Sequence, residues 1–114
     1  DRTMSNVKDV STAEYKGEAL NAGVPVVVDF YSTWCGPCKM LAPVLEQLAG
    51  AYEGTAKVVK VNAETEPMLA REYQIQGVPT LIFLSDGVEV DRIVGLAPPA
   101  TIAARIDALA TAKV

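Results

Sequence analysis

The sequence predicts an α/β fold arranged as a three-layer sandwich, and two observations support this prediction. Strand-like and helix-like segments alternate along the chain, with no linker, repeat or low-complexity stretch between them. The run 24–31 is almost uninterrupted apolar sequence, which is typical of a central strand covered on both faces. At 114 residues, the chain is predicted to form one domain over 1–114, with residues 1–6 as a flexible N-terminal extension.

The first half of the chain is predicted to contain two strands and two helices. A short strand near 7–10 precedes Ser11–Glu14, which has the form of a capping box and begins a helix through about Ala22. After the central strand, a second helix begins at Cys35, because apolar residues then recur at helical spacing. These apolar positions are Leu41, Val44, Leu45, Leu48, Ala49 and Tyr52.

The second half is predicted to contain a strand, a short helix, a hairpin and a last helix. The predicted bounds are 57–62 for the strand, 67–73 for the short helix, and 80–84 and 88–94 for the hairpin strands. The hairpin turns at Ser85-Asp86-Gly87, since Asp-Gly favours a tight turn between strands. The last helix begins at Pro99 and places Ile102, Ile106 and Leu109 on one face.

The only two cysteines, Cys35 and Cys38, lie in the hexapeptide Trp34-Cys-Gly-Pro-Cys-Lys39, at the predicted start of the second helix. A helix N-terminus carries roughly half a positive charge, which favours a thiolate there. Lowering a cysteine pKa from about 8.5 to about 7 raises the thiolate fraction at neutral pH from a few per cent to about half. The pattern predicts a reversible disulfide, with Cys35 as the exposed nucleophile at the N-cap and Cys38, one turn further, as the resolving thiol.

Two other uses of the cysteine pair stay open at this point. An inert structural disulfide across four residues would stabilise the fold by only about 2 kcal/mol, because so short a loop has little closure entropy. A zinc site normally needs four Cys or His ligands, and this chain has two cysteines and no histidine, so zinc would have to bridge a dimer. Redox chemistry is therefore the favoured interpretation.

Asp29 is a carboxylate inside the predicted central strand. Strand alternation places it on one face with Val27 and Tyr31, and the strand runs directly into the cysteine loop. Burial disfavours the charged form and raises the pKa of such a group, so it could accept the proton of a buried thiol. The alternative is a buried aspartate that is satisfied by hydrogen bonds or by a salt bridge.

Composition and charge argue against several classes of partner. A net charge of −4 is mild and disfavours nucleic acid or an anionic membrane as the main partner. No apolar run approaches the ~20 residues that span a bilayer, and no phosphate-binding fingerprint is present. The chain begins at Asp1 without a signal-like segment, so we expect either a processed product or a trimmed piece of a longer protein.

The chain resembles the thioredoxin family from about Val7 to Leu109. The resemblance implies the thioredoxin fold: a single thioredoxin domain with a central mixed five-stranded sheet and four helices. It rests on segments that follow one another in the family's order and at its spacing, namely 26–43, Lys60-Val-Asn62, Gly77-Val-Pro-Thr80, Asp86-Gly87 and Val94-Gly95.

The same resemblance implies roles for residues around the cysteines. It implies that Asp29 takes the proton of the resolving cysteine and that Lys60 lies nearby and tunes Asp29. From the residues alone, Lys60 could equally lay its stem along apolar surface and keep its ammonium in water. Pro79 matches the family's cis-proline, which leaves the Val78 backbone free to pair with an extended substrate. The implied docking patch consists of Trp34, Gly36, Pro37, Val78, Pro79, Gly95 and Leu96.

In terms of function, the resemblance implies a protein-disulfide reductase and general redox carrier. Gly36-Pro37 between the cysteines is the reductase type, whereas oxidants and isomerases usually carry a histidine there. The implied partners are disulfide-containing proteins and thioredoxin reductase, which supplies electrons from NADPH, with no cofactor bound to the chain. We expect a cytoplasmic monomer. Two alternatives stay open: a domain of a larger redox protein, and a non-catalytic binding or chaperone module that uses the same patch.

Overall fold

The central feature of the computed structural model, which describes residues 5–112, is one sheet of five strands. The strands are β1 (Lys8–Asp9), β2 (Val26–Tyr31), β3 (Lys57–Asn62), β4 (Thr80–Ser85) and β5 (Val88–Val94). They lie in the order β1-β3-β2-β4-β5, with β1, β3 and β2 parallel. β4 runs antiparallel to β2, and β5 runs antiparallel to β4. The predicted mixed five-stranded sheet is therefore confirmed.

Over the same described residues, four α-helices connect and cover these strands. They are α1 (Thr12–Tyr15), α2 (Gly36–Ala51), α3 (Pro67–Glu72) and α4 (Pro99–Ala112). Helix α1 is extended by a π-helical segment, Lys16–Leu20. The four predicted helices are thus present, and wherever the sequence predicts a helix end, the observed end differs from it by at most two residues.

The first helix illustrates how a local signal sets one end and not the other. The predicted capping box is present: the Glu14 N–H donates to Ser11 Oγ at 3.3 Å, and the Ser11 N–H donates to Glu14 Oε1 at 3.0 Å. The far end closes when the Asn21 N–H donates to the Lys16 carbonyl, five residues back, at 2.9 Å. That wider turn is the π-helical geometry, and the helical stretch ends at Leu20 rather than at Ala22.

Two hydrophobic clusters lie on opposite faces of the sheet, as a strand buried on both faces requires. On one face, Val27 packs with residues of α2 and α4, including Leu41, Leu45 and Ile106. On the other face, the remaining buried apolar side chains of β2 pack with residues of α1, its π-helical extension and α3. This cluster includes Val26, Val28, Phe30, Tyr15, Ala19 and Leu69. The alternation along β2 therefore places Asp29 on the same face as Val27, as the sequence predicts, and the structure shows that α2 covers this face.

The predicted N-terminal extension, residues 1–6, falls largely outside the described residues. Of this segment the structure describes only Ser5 and Asn6, and both form hydrogen bonds with Glu46 on α2. Val7, which follows them, is buried in the core. In the part of the chain that the structure describes, no helix is long and apolar enough to cross a membrane.

The β4–β5 hairpin turns through Asp86 and Gly87, both of which have positive φ (51° and 79°). This is the two-residue turn that Asp-Gly predicts, since positive φ at both central positions matches the twist of the strands. The turn packs closely against the end of the π-helical segment. A Cβ added at Gly87 would lie 3.0 Å from the Leu20 carbonyl oxygen.

We predict that Gly87→Ala destabilises the protein more than Gly54→Ala. Both glycines have positive φ, where a side chain costs about 1–2 kcal/mol, but a Cβ at Gly54 would meet nothing within 4 Å. The crowding against Leu20 raises the expected loss at Gly87 to roughly 2–4 kcal/mol. Urea unfolding measures both losses. Equal losses would show that the hairpin turn does not press against Leu20.

Candidate active site

The cysteine pair lies where the central strand passes into the N-terminus of α2. Cys35 is the N-cap of α2, and Pro37 occupies the first turn, where its missing N–H breaks no bond. Cys35 and Cys38 form a disulfide, with their Cα atoms 5.2 Å apart. The Cys38 backbone N–H donates to Cys35 Sγ at 3.1 Å. The free N–H groups and the dipole of α2 thus face the Cys35 sulfur, which favours its thiolate on reduction.

Both cysteines are shielded from solvent, but not equally. Cys35 is 9% exposed and Cys38 is 4% exposed. The order of exposure agrees with the prediction of an outer and an inner thiol, although Cys35 is less exposed than the sequence suggests. The reason lies in a distant segment, since the Val78 carbonyl oxygen is 3.7 Å from Cys35 Sγ.

Two further loops meet the cysteine loop at this end of the sheet. The Val78–Pro79 peptide bond is cis, which confirms the expectation from the resemblance. The Gly95 N–H donates to the Pro79 carbonyl at 2.8 Å, so the loop after β5 is tied to the loop before β4. The Thr80 hydroxyl donates to the Gly77 carbonyl at 2.6 Å and closes the turn that carries Val78 and Pro79.

The residues of the expected docking patch differ in how far they reach solvent. Trp34 is 87% exposed and Leu96 is 48% exposed. Gly36 and Pro37 are also exposed, and Val78 and Gly95 are half-buried. Pro79 is buried, so it supports the patch from beneath and adds no open surface in this structure.

The structure adds three features that sequence reasoning missed. Val94, which is 67% exposed, places another apolar side chain beside Gly95. Its position as the last residue of a strand is the sequence feature that could have indicated this exposure. Glu64 Oε1 accepts hydrogen bonds from the Thr33 N–H at 3.3 Å and the Thr33 hydroxyl at 3.1 Å, which braces the loop before Trp34. A solvent-open cleft of about 790 Å³ borders Val78 on the α3 side.

Asp29 lies buried beneath the inner cysteine, with 4% of its surface exposed. It lines a cleft of about 300 Å³ together with Cys38, Lys39 and Lys60. Its Oδ1 has no hydrogen-bond partner among the described residues. Burial raises the pKa of Asp29 to about 7, against the opposing effect of the Lys60 charge.

Lys60 is the register partner of Asp29 on the neighbouring parallel strand. Its Nζ lies 5.5 Å from the centroid of the Tyr31 ring, and the side chain is half-buried. The stem therefore covers apolar surface, as one interpretation expected. Its charge also lowers the pKa of Asp29, as the other interpretation expected, so the two interpretations are compatible.

The site offers little to a metal ion. Across the residues that the structure describes, no group of three or more Cys, Asp or Glu side chains is placed to hold one. The chain also has no histidine. The paired sulfurs, the helix N-terminus and the buried carboxyl form instead a set suited to thiol–disulfide exchange, in which a thiolate attacks a disulfide sulfur.

Comparison with known proteins points to one family. A sequence model of the family described as Thioredoxin matches residues 6–108. Thioredoxin 1 of Nostoc sp. is 43% identical over 104 residues, which cover 91% of this chain and 97% of that protein. Thioredoxin 1 of Synechococcus elongatus is 44% identical over 104 residues, with the same coverage of 91% and 97%. The thioredoxin of Staphylococcus epidermidis is 47% identical over 88 residues, which cover 77% of this chain and 84% of that protein.

These similarities extend over nearly the whole described chain and agree with the fold. The mixed five-stranded sheet matches the expectation from the resemblance, and the two cysteines lie at disulfide distance at the start of α2. The chain therefore belongs to the thioredoxin family of thiol–disulfide oxidoreductases, and it carries redox equivalents on the Cys35–Cys38 pair.

Proposed function

We propose that this chain reduces protein disulfides, with Cys35 as the attacking thiolate and Cys38 as the resolving thiol. The observation that carries the proposal is the placement of the two sulfurs relative to Asp29. Cys35 Sγ accepts the N–H of Cys38 at the N-terminus of α2. Asp29, whose pKa burial raises to about 7, shares a cleft with Cys38 on the inner side.

In the first step, the Cys35 thiolate attacks one sulfur of the substrate disulfide. A bond forms between Cys35 Sγ and that sulfur, the substrate disulfide breaks, and the other substrate sulfur leaves as a thiolate. The N–H of Cys38 and the N-terminus of α2 stabilise the Cys35 thiolate before attack. Exposed Trp34 beside it supports docking of the substrate.

In the second step, Cys38 passes its proton to Asp29, and the resulting thiolate attacks Cys35 Sγ. The Cys35–Cys38 disulfide forms, and the substrate sulfur leaves as a thiolate that takes up a proton. The chain is oxidised by two electrons and the substrate is reduced by two. Asp29 suits this role because a carboxyl with a pKa of about 7 is near half ionised at neutral pH.

We assign substrate binding to the patch around the cysteines. The Val78 backbone pairs with an extended segment of the substrate, as in other cases of local strand addition. Trp34, Leu96 and Val94 offer the exposed apolar side chains. The remaining members, Gly36, Pro37, Pro79 and Gly95, shape the surface and allow close approach of the substrate backbone.

Regeneration of the dithiol requires an external donor of electrons. Family membership implies disulfide-containing substrates and a reductase partner in general. For this chain we propose thioredoxin reductase, with NADPH as the source of electrons. The uncharged Gly36-Pro37 between the cysteines supports the reducing direction, and we further propose a cytoplasmic monomer.

A binding or chaperone module that uses the same patch is the second candidate, because Trp34 is 87% exposed. A double variant, Cys35→Ser with Cys38→Ser, separates the two candidates. A binding module keeps its function in this variant, whereas a reductase loses it.

Single cysteine variants test the order of attack. We predict that Cys38→Ser accumulates a mixed disulfide with a protein substrate, because the first step proceeds and the second has no nucleophile. Cys35→Ser should form none, since the more buried Cys38 is not presented to the substrate. Non-reducing electrophoresis and intact mass measure both results. Equal trapping by the two variants would contradict the assigned order.

We predict that Asp29→Asn slows release from the mixed disulfide more than its formation, by roughly 10²-fold at pH 7. In the unchanged protein, the release rate should rise with pH through about 7, as Asp29 ionises and becomes able to take the proton. The variant should lose the rise in release rate near pH 7, because an amide cannot take the proton of Cys38. Single-turnover kinetics against pH measure both steps, and equal slowing of the two would remove Asp29 from the mechanism.

The reduction potential of the Cys35–Cys38 pair tests the direction. We expect about −270 mV, the value known for thioredoxin, because no extra charge between the cysteines stabilises the reduced form. Equilibration against a dithiol buffer with thiol alkylation measures it. A value near about −180 to −120 mV would instead indicate an oxidant or isomerase.

A further inference from the structure

Asp29 borders a second, smaller space on the side away from the cysteines. This cavity of about 20 Å³ is partly open to solvent and is large enough for about one water molecule. Lys60 contributes to the walls of both this cavity and the Cys38 cleft. The other residues that bound the inner cavity are Val7, Ala42, Leu45 and Glu46.

Glu46 holds the N-terminal segment against this inner side. Its Oε1 accepts the Asn6 backbone N–H at 2.8 Å, and its Oε2 accepts the Ser5 hydroxyl. The Asn6 side-chain amide donates in turn to the Glu46 backbone carbonyl at 3.3 Å. These bonds join parts of the chain about 40 residues apart. They also place Val7, the next residue, as a wall of the cavity beside Asp29.

Glu46 and Asp29 both lie within the influence of one lysine, Lys60. The positive charge of Lys60 lowers the pKa of both carboxyls. At Glu46, burial acts to raise the pKa, but the hydrogen bonds from Ser5, Asn6 and Val7 together with Lys60 outweigh it and lower the pKa overall. Glu46 is therefore ionised at neutral pH and places a negative charge on the cavity that Asp29 also lines.

We propose that Glu46 is a positioning residue for the second step: it fastens the segment 5–7 over the inner side of Asp29 and places a negative charge on that side of the carboxyl. Asp29 then exchanges protons mainly through the wider cleft that it shares with Cys38. The inference rests on the proposed role of Asp29 as proton acceptor. It adds that the ability of Asp29 to accept a proton near neutral pH depends on Glu46, which lies on the side of the carboxyl away from Cys38.

Each element packed against Asp29 presents a small set of titratable or charged side chains to it. Helix α2 presents Cys38 and Lys39 to the cleft and Glu46 to the inner cavity. Strand β3 presents Lys60, and β2 itself presents Tyr31. On β4 the paired residue is Leu81, which does not titrate. Glu46 is thus the one carboxylate among the residues that line the two spaces with Asp29.

The test measures the titration of the Asp29 carboxyl carbon by NMR in the oxidised full chain, where Cys38 cannot titrate. The signal is assigned by its loss in Asp29→Asn. We expect Glu46→Gln to lower the midpoint by about 1 pH unit, because the substitution removes a negative charge that opposes ionisation of Asp29 across the shared cavity. Glu53→Gln, which makes the same charge change just beyond the C-terminus of α2, should leave the midpoint unchanged.

Two further variants separate the effect of the Glu46 charge from the effect of anchoring the segment 5–7. Ser5→Ala removes one donor to Glu46 and is expected to shift the midpoint in the same direction by less. Glu46→Ala removes all of the side-chain bonds, and should shift it further while speeding amide hydrogen exchange at Asn6 and Val7. If Glu46→Gln and Ser5→Ala both leave the midpoint of Asp29 unchanged, Glu46 only anchors the N-terminal segment, and the inference is overturned.

Failure of this inference is distinguishable from failure of the proposed function. The NMR midpoint does not depend on turnover, so it reports on Glu46 whatever the kinetics show. With the midpoint lowered in Glu46→Gln, the pH profile of mixed-disulfide release should move to lower pH by the same amount. A lowered midpoint with an unmoved profile would leave Glu46 coupled to Asp29 but would overturn its part in the second step.

Discussion

The burial of Asp29 beneath the first turn of α2 is the constraint on which the active site depends. An aspartate in an unfolded chain titrates near about 3.9, whereas Asp29 titrates at about 7 in the fold. Because the native state holds this proton more tightly, the free energy of unfolding declines as the pH rises from about 4 to about 7. That decline, roughly 4 kcal/mol, is the stability that the fold gives up to keep a proton acceptor next to Cys38. Lys60 offsets part of it.

The topology of the sheet explains why three separate loops meet at the cysteines. β2 and β4 are antiparallel neighbours that pair Phe30 with Thr80, so the end of β2 lies beside the start of β4. β4 and β5 are also antiparallel and pair Thr80 with Val94, so the end of β5 reaches the same edge of the sheet. The loops that follow β2, precede β4 and follow β5 therefore converge there, and the bond from the Gly95 N–H to Pro79 joins two of them.

Much of the fold and the chemistry of the site could be predicted from the chain alone, because the signals are local. The capping box at Ser11, the Asp-Gly turn and the apolar run of β2 report hydrogen bonding, backbone geometry and burial within a few residues. Cys35 and Cys38 lie three positions apart, so their pairing at a helix start needs no knowledge of the rest of the chain. Strand alternation alone directed Asp29 towards the face that carries Val27.

The sequence by itself thus determined the order of the elements, the family and the chemistry of the paired thiols, since each depends on residue type and short spacing. Only the tertiary structure decided how solvent and charge are distributed around them. It covered Cys35 with the Val78 carbonyl, buried Pro79 and left Asp29 Oδ1 without a partner among the described residues. It also brought Glu46 to Ser5 and Asn6, about 40 residues away. Burial and long-range pairing depend on which segments meet in space, and no local pattern along the chain encodes that.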